Sequence, residues 1–191
     1  MTRASPRPIV GHARRSRTSR AGRATLTELR TMADYPPGLV GAVAGLFGRC
    51  MTASHGTDWR VDVMIAEGQC EFFRRFDPER DRVWVAQLDG QICGALTIDG
   101  PRPEAGREAA RLRFFILDEA TRGLGLGRRM VADAMAFCRE RGYSRVYLTT
   151  LPGLDAARRL YETQGFRLIG QDDPPFCGSD YGEQTFEWRA P

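Results

Sequence analysis

The stretch 122–131, RGLGLGRRMV, carries glycines at every second position and leads into residues with helical spacing. Glycine accepts positive φ angles and lets a backbone approach a ligand closely. The first amides of a helix lack partners inside it, and the helix dipole is positive there, so a helix start can bind a phosphate group. Gly123, Gly125 and Gly127 therefore predict either a phosphate-binding turn or a plain connection that turns a corner.

Two familiar phosphate-binding motifs do not fit this stretch. The dinucleotide fingerprint G-x-G-x-x-G fails because Arg128 or Met130 occupies the position of its last glycine. The P-loop fails because it requires G-K-[ST], and the chain contains no Lys. What remains is R-x-x-G-x-G, formed by Arg122, Gly125 and Gly127, between a predicted strand and a predicted helix.

The spacing of apolar residues predicts the elements that hold this turn. Alternating or continuous apolar runs predict strands, and Asp89-Gly90 predicts a tight hairpin within 81–100. The strands predicted in this way are 25–32, the two arms of that hairpin, 109–117, 144–150, 166–170 and 183–188. No internal repeat is visible, and strands mixed with helices predict an α/β domain.

Apolar residues three and four positions apart predict the helices. The predicted helices are 36–51, opened by two prolines, then 59–76, 127–141 and 154–165. The second should bury one stripe, Val63, Ala66, Cys70 and Phe73. The third should bury Met130, Val131, Ala134, Phe137 and Cys138.

Composition predicts one domain behind a basic arm. The chain has 191 residues, of which 42% are hydrophobic, and this suffices for a single core. Residues 1–23 are rich in Arg and free of acid, so we expect a disordered arm or an over-extended start there, and the domain at 24–191. The arm is similar to a transit peptide in composition but has no clear amphipathic periodicity.

The cysteines and the apolar runs exclude several classes of protein. The five Cys lie at least 20 residues apart, without zinc-like Cys or His spacing, so we expect neither a metal nor a disulfide framework. No run reaches the roughly 20 apolar residues of a membrane span, and the N-terminus lacks the apolar core of a secretory signal. We expect a cytoplasmic protein without a membrane partner, and nucleic-acid contact at most through the arm.

Two stretches in the second half of the chain resemble, in order and spacing, the core of the GNAT N-acetyltransferase superfamily. They are LRFFILDEATRGLGLGRRMVADAMAFCRERGYSRVYLTT and AARRLYETQGFRLIG. More narrowly, three segments are similar to the acetyltransferase domain that many bacteria carry behind a MarR-type regulator, although the winged-helix part is absent here: RFDPERDRVWVAQLDGQICG, TRGLGLGRRMV and FCGSDYGEQTFEW. The resemblance implies an α/β (α+β) fold with a mixed, mostly antiparallel sheet of about six or seven strands and about four flanking helices.

The same resemblance implies acetyl-coenzyme A (acetyl-CoA) as co-substrate and assigns its contacts. The main chain of Phe115, Ile116 and Leu117 would pair with the pantetheine arm as another strand would. Arg122 would reach the adenosine phosphates or only close the turn. Amides of the glycine turn would hold the pyrophosphate, namely those of Gly123, Leu124, Gly125, Leu126, Gly127 and Arg128. The charges of Arg128 and Arg129 would assist, or only form a solvated helix face.

Tyr161 is the predicted catalytic acid. It follows Leu154 by seven residues and Ala157 by four, so it lies on the inward face of its helix. By the resemblance, a tyrosine at this position protonates the departing thiolate. The alternative is a core aromatic whose hydroxyl bonds to a carbonyl. Several relatives have Asn where this chain has Leu154, so the coenzyme contacts of that Asn do not carry over to this position.

The general base cannot be identified from the residues. Some relatives place a Glu where this chain has Thr149. The other carboxylate candidates are Glu67, Glu71, Asp180 and Glu183, and a water relay is an alternative to all of them. His12, in the arm, and His55, predicted in a loop, are not expected to take part.

The loop 172–184 is expected to border the acceptor, with Phe176, Cys177 and Tyr181 shaping its pocket. The resemblance implies direct transfer of an acetyl group from acetyl-CoA to a primary amine of an unidentified small molecule or peptide. One alternative is an acetyl-CoA-sensing or interaction protein that has lost transfer, which the missing base motivates. Another is that the arm tethers a nucleic acid or an acidic partner.

Overall fold

The computed structural model describes residues 23–103, 108–173 and 175–191. Of the predicted arm, only Arg23 falls within these ranges, and the disorder predicted for 1–22 lies outside the described residues. The strands are β1 (Ala24–Leu29), β2 (Arg82–Leu88), β3 (Gln91–Asp99), β4 (Ala110–Leu117), β5 (Arg145–Thr150), β6 (Arg167–Gln171) and β7 (Gln184–Arg189). The α-helices are α1 (Leu39–His55), α2 (Arg60–Arg74), α3 (Leu126–Glu140) and α4 (Asp155–Thr163).

Across the described ranges the strands form one seven-stranded sheet in the order β1-β2-β3-β4-β5-β7-β6. Neighbouring strands are antiparallel except β4 and β5, which are parallel. The predicted α/β class with a mixed, mostly antiparallel sheet is therefore confirmed. The hairpin prediction is confirmed as well, because Asp89 and Gly90 join β2 to β3 with φ of 51° and 80°, as a type I′ turn requires.

Helices cover both faces of the sheet, and each face has its own apolar cluster. On one face α1 and α2 bury residues such as Val43, Val61 and Phe72. On the other face α3 and α4 pack through Met130, Tyr161 and their neighbours. The buried stripe predicted for α3 is confirmed, since all five of its residues are at most 6% exposed.

The stripe predicted for α2 is wrong by a small rotation of the helix. The buried residues are Val61, Ile65, Gln69 and Phe72, whereas Val63 is 42% exposed. This series also has helical spacing, but a glutamine interrupts it and hides it from a reading based on apolarity. The Gln69 amide is buried with partners, because its Nε2 donates to the carbonyl oxygens of Val40 and Ile65 at 3.3 and 3.4 Å.

The ends of α1 also differ from the prediction. The helix begins at Leu39, after Gly38 in a left-handed conformation, rather than at the two prolines. It continues to His55, so the prediction that His55 lies in a loop is wrong. The helix stops one residue later because Gly56 adopts a φ of 66°. The buried His55 ring lies with Nε2 2.8 Å from the carbonyl oxygen of Pro152 and Nδ1 2.6 Å from Ser54 Oγ.

A β-bulge interrupts β4 at Phe114, whose φ is +52°. Thr97 of β3 pairs with Arg113 and Ala95 pairs with Ile116, so Phe114 and Phe115 together face a single residue of β3. The extra residue reverses the alternation of side chains along the strand. Leu112, before the bulge, packs toward α3 and α4, whereas Phe114 and Ile116 pack toward α1 and α2.

The bulge lies where β4 leaves its parallel neighbour. β4 and β5 pair only at Ala110 with Val146 and at Arg111 with Tyr147. Beyond that point the two strands diverge, and the sheet opens between residues 112–117 of β4 and 148–150 of β5. This opening is the structural basis of the candidate site.

Candidate active site

A cavity of about 610 Å³ occupies the opening between β4 and β5. It reaches both faces of the sheet, because its lining includes residues of α1 and α2 as well as residues of α4. The predicted site residues Phe115, Ile116, Leu117, Arg122 and Tyr161 all line it. The structure therefore brings together the strand end and the tyrosine that the resemblance had assigned to one site.

The end of β4 has one free edge toward this cavity. Ile116 and Leu117 pair with Ala95 and Gly94 of β3 on their other side. Among the described residues, β5 offers no backbone pair beyond Arg111. The edge from Leu112 to Leu117 can therefore accept an extended ligand in the place of a neighbouring strand.

The glycine turn directly follows this strand. Asp118 begins it by accepting a hydrogen bond from the Ala120 amide at 2.9 Å. Gly123 and Gly125 have φ of 81° and 71°, and a Cβ built on either would meet nothing within 4 Å. The left-handed backbone is thus what requires glycine at these two positions, and the space beside them is open.

Several amides of this turn are unpaired. Leu124 donates to the carbonyl of Thr121, and the intrahelical bonds of α3 begin with Arg129 donating to Gly125. Within the described residues, no partner is found for the amides of Gly123, Gly125, Leu126, Gly127 and Arg128. Unpaired donors at a helix start, beside open space, fit a phosphate group in number and chemistry.

Gly127 has a different role from the two glycines before it. Its φ is not positive, but a Cβ there would lie 3.2 Å from Leu160 Cδ1 and 3.3 Å from Leu117 Cδ1. The absence of a side chain lets the first turn of α3 approach both α4 and the end of β4. Leu117 and Leu160 line the cavity, whereas residues 123–128 do not, so this contact holds the unpaired amides next to the cavity wall.

The arginines of the turn differ in their partners. Arg122 Nη1 lies 2.9 Å from Glu119 Oε1, and Arg129 Nε lies 3.6 Å from Asp133 Oδ2. Arg128 is exposed and forms no ion pair with any described residue. Of these three cations, Arg128 is therefore the one whose charge is not shared with a carboxylate.

Tyr161 lies inside the cavity wall and is only 4% exposed. Its ring packs edge-on against Phe115, with centroids 6.1 Å apart. Burial raises the pKa of its hydroxyl above the ordinary value, so the group keeps its proton at neutral and alkaline pH. Tyr161 belongs to the core cluster of this face, but among the described residues its hydroxyl has no hydrogen-bond partner, so the carbonyl bond considered in the alternative is not observed.

Of the carboxylates proposed as bases, only Glu183 lines the cavity. Glu67 and Asp180 are exposed and outside the lining. Glu71 is held in ion pairs by Arg75 and Arg113.

A second carboxylate in the lining, Asp155, was not predicted. It is the first residue of α4, where a carboxylate favours the helix dipole, and this ordinary role hides it in the sequence. Leu154, just before it, forms no side-chain cap.

The loop 172–184 contributes less to the cavity than predicted. Phe176 lines the cavity, but Cys177 and Tyr181 do not. Tyr181 packs against the His55 ring, with centroids 5.3 Å apart. Burial raises the pKa of the Cys177 thiol, so this residue is a poor candidate for a nucleophile.

The wall of the cavity toward α1 and α2 was not predicted. It is apolar and comes from Phe47, Met51, Val61, Met64 and Ile65. Arg111, on β4, also lines the cavity and was not singled out. No local pattern marks these residues as members of one site, because they come from three separate elements.

No group of three or more metal-ligating side chains occurs among the described residues. In the same part of the chain, no helix combines the length and the apolar character that crossing a bilayer requires.

Comparisons with known proteins agree with this geometry. Human N-acetyltransferase 8 is 29% identical over 115 residues, which cover 58% of this chain and 50% of that protein. The Escherichia coli N-acetyltransferase YjgM is 32% identical over 101 residues, which cover 52% of this chain and 59% of that protein. The matched part is thus about half the length of these curated relatives.

A solved structure and a family model cover more of the chain. The GCN5-related N-acetyltransferase from Kribbella flavida superposes with a TM-score of 0.65 at 18% identity, over 87% of this chain and 98% of that one, which shows a shared fold. The sequence model of the acetyltransferase (GNAT) family matches residues 46–166, from within α1 to the residue before β6. On that match, the chain belongs to the GNAT family of acetyltransferases.

Proposed function

We propose that this protein transfers an acetyl group from acetyl-CoA directly to a primary amine. The observation that carries the proposal is the set of unpaired amides in the glycine turn, which stands beside a cavity that also contains the buried Tyr161. Family membership supports the reaction class. The narrower likeness to domains fused to MarR-type regulators stays a prediction.

The donor half of the site uses main-chain groups. The amides of Gly123, Gly125, Leu126, Gly127 and Arg128 would hold the pyrophosphate, and the Arg128 side chain would add positive charge. The free edge of Phe115, Ile116 and Leu117 would pair with the pantetheine arm. Arg122 already pairs with Glu119, so its role fits closure of the turn as well as contact with a phosphate.

Two proton transfers are required when an amine attacks a thioester. The departing thiolate needs a proton, and the Tyr161 hydroxyl can donate one because burial raises its pKa and keeps it protonated. The amine must lose a proton, since an alkylammonium has a pKa of about 10.4. We assign that acceptor role to Glu183, directly or through water, because it is the candidate carboxylate that lines the cavity.

The first test is thermal unfolding with and without acetyl-CoA. A ligand that binds only the native state, at about 100 times its dissociation constant, adds about 2.7 kcal/mol to the free energy of unfolding. We expect a clear rise of the unfolding midpoint, followed by release of free thiol that depends on an added amine. No rise in a folded sample would overturn the donor site.

The same experiment separates transfer from sensing. A sensing or interaction protein would show the rise in midpoint without thiol release on any amine. Acceptor-dependent thiol release, together with an acetylated product, would exclude that alternative.

A further inference from the structure

Two arginines on one face of β4 have different surroundings. Arg113 is neutralised, since its Nη1 lies 3.2 Å from Asp99 Oδ2 and 3.3 Å from Glu71 Oε2. Asp99 is fully buried and also binds Arg75 through two hydrogen bonds of 2.9 and 2.7 Å. The charge of Arg113 is therefore neutralised by carboxylates of the protein itself.

Arg111, two residues earlier, has no such carboxylate. Its Nη2 donates to Thr149 Oγ1 at 3.2 Å, and its guanidinium lies 5.5 Å from the centroid of the Tyr147 ring. Its Nε is buried and has no hydrogen-bond partner, and it forms no ion pair with any residue that the structure describes. An arginine stays charged at all ordinary pH values, so a half-buried guanidinium whose buried Nε has no partner is less favourable than one that pairs with an anion supplied by a ligand.

The position of Arg111 defines where that anion would bind. Arg111 forms the last backbone pair between β4 and β5, at the apex of the opening, and it lines the cavity. It shares a strand face with Arg113, which contacts α2, so it lies on the side opposite the glycine turn and α3. The coenzyme phosphates, by the proposed function, belong to the glycine turn and not to this side.

The rest of this side complements an amino acid. Glu183 lines the same cavity and has no ion pair with Arg111 or with any other described cation. The remaining wall includes the apolar side chains of Phe47, Met64 and Phe176. Asp155, the other carboxylate of the lining, belongs to α4, the helix on the opposite face. On the side of Arg111, one unpaired cation, one unpaired carboxylate and an apolar wall match a zwitterion with an apolar side chain.

We propose that the acceptor is an α-amino acid with an apolar side chain, whose carboxylate binds Arg111 and the Thr149 hydroxyl while its amine faces Glu183. This inference rests on the proposed function, and it assigns specificity to Arg111. A charge-assisted hydrogen-bonded pair of this kind is worth about 10- to 100-fold in selectivity.

The test compares acceptors that differ only in the carboxylate. L-Phenylalanine, L-leucine and L-methionine are assayed by thiol release beside their amides and their decarboxylated amines. For the wild type we expect kcat/KM to be about 10- to 100-fold higher for the amino acids. Arg111→Met should remove that preference mainly through KM, Arg111→Lys should restore part of it, and the exposed Arg74→Met, outside the cavity, should leave it intact.

Acetyl-CoA binding to each variant separates this inference from the proposed function. If acetyl-CoA binds and amines without a carboxylate are acetylated equally well, or if no amino acid of the panel is acetylated, the carboxylate site is overturned and the donor site stands. If Arg111→Met weakens acetyl-CoA binding instead of acceptor selectivity, Arg111 belongs to the coenzyme and the inference fails. If the wild type does not bind acetyl-CoA, both proposals fall.

Discussion

The two sides of the opening between β4 and β5 are built from different parts of the chain. Toward α3, five unpaired main-chain amides come from one continuous stretch, 123–128, and the space beside Gly123 and Gly125 is open. Toward α1 and α2, side chains from distant segments meet, among them Met64, Arg111 and Glu183. Main-chain recognition leaves a local glycine pattern in the sequence, whereas recognition by side chains from several elements leaves none.

The largest effect on ligand binding is expected from Gly125→Glu, which tests the main-chain side of this comparison. The substitution forces a side chain into a left-handed position and brings an anion to the unpaired amides, so we expect acetyl-CoA affinity to fall by more than about 100-fold in calorimetry. Gly142→Glu is the matched control, because Gly142 at the other end of α3 has a φ of 69° and equally open surroundings. Equal affinity loss in both variants would assign the effect to strain and not to a phosphate site.

Tyr161→Phe should be the next largest change. Removing a positioned general acid lowers kcat by about 100-fold, while the affinity for acetyl-CoA stays nearly unchanged. Because burial raises the pKa of Tyr161, its protonated form persists to higher pH, and we expect no loss of wild-type kcat from this group up to pH 9. Tyr143→Phe is the control, since the Tyr143 hydroxyl donates to the carbonyl of Arg80 outside the cavity lining. A normal rate for Tyr161→Phe would remove the acid role.

Substitution of the two arginines of β4 should lower the free energy of unfolding by different amounts. Arg113→Met removes bonds to Asp99 and Glu71, so we expect the free energy of unfolding to fall by about 1.5–3 kcal/mol in urea titrations. Arg111→Met removes the bond to Thr149 and the contact with the Tyr147 ring, but it also removes a charge that has no anion, so it should change this free energy by less than about 1 kcal/mol. A loss for Arg111→Met as large as for Arg113→Met would make Arg111 a structural residue and argue against a ligand at that position.

The smallest effect is expected at Gly127. An added methyl group would press on the flexible ends of Leu160 and Leu117, which destabilises the fold, while alanine favours a helix by up to about 1 kcal/mol over glycine. The two effects oppose each other, so the net change in unfolding free energy should be less than about 1 kcal/mol. Acetyl-CoA affinity for Gly127→Ala should fall much less than for Gly125→Glu. A larger loss of affinity for Gly127→Ala than for Gly125→Glu would mean that the site depends on close packing at Gly127 more than on the left-handed backbone at Gly125.

Local signals in the sequence predicted much of the fold. The stripe of α3, the Asp89-Gly90 hairpin and the glycines at the start of α3 are each read within a few residues, and each is observed. The stripe of α2 was misread because a buried Gln69 depends on carbonyls that lie 4 and 29 positions away. His55 was misplaced because its ring is held by Pro152, far along the chain.

In the candidate site, too, residues marked by a local motif were predicted and residues defined by distant contacts were missed. Tyr161 and the strand end at Phe115 were placed by motif and line one cavity as expected. Arg111 was missed because what sets it apart is the absence of an ion pair. Its neighbour Arg113 forms ion pairs with carboxylates from two other elements, and Arg111 forms none with a described residue. Only the three-dimensional structure shows which of the two similar arginines lacks a carboxylate partner.

The bulge at Phe114 makes β4 a segment in which residue number matters more than residue type. One extra residue opposite Leu96 is accommodated by the bulge, while Leu112 and Ile116 lie in opposite layers. Deleting Phe114 would leave both side chains in those layers, but it would remove the bulge and straighten the strand against β5. Point substitutions leave this count unchanged. Natural variation along β4 should therefore proceed by exchange of side chains, and an insertion or deletion there should be as disabling as the loss of a catalytic group.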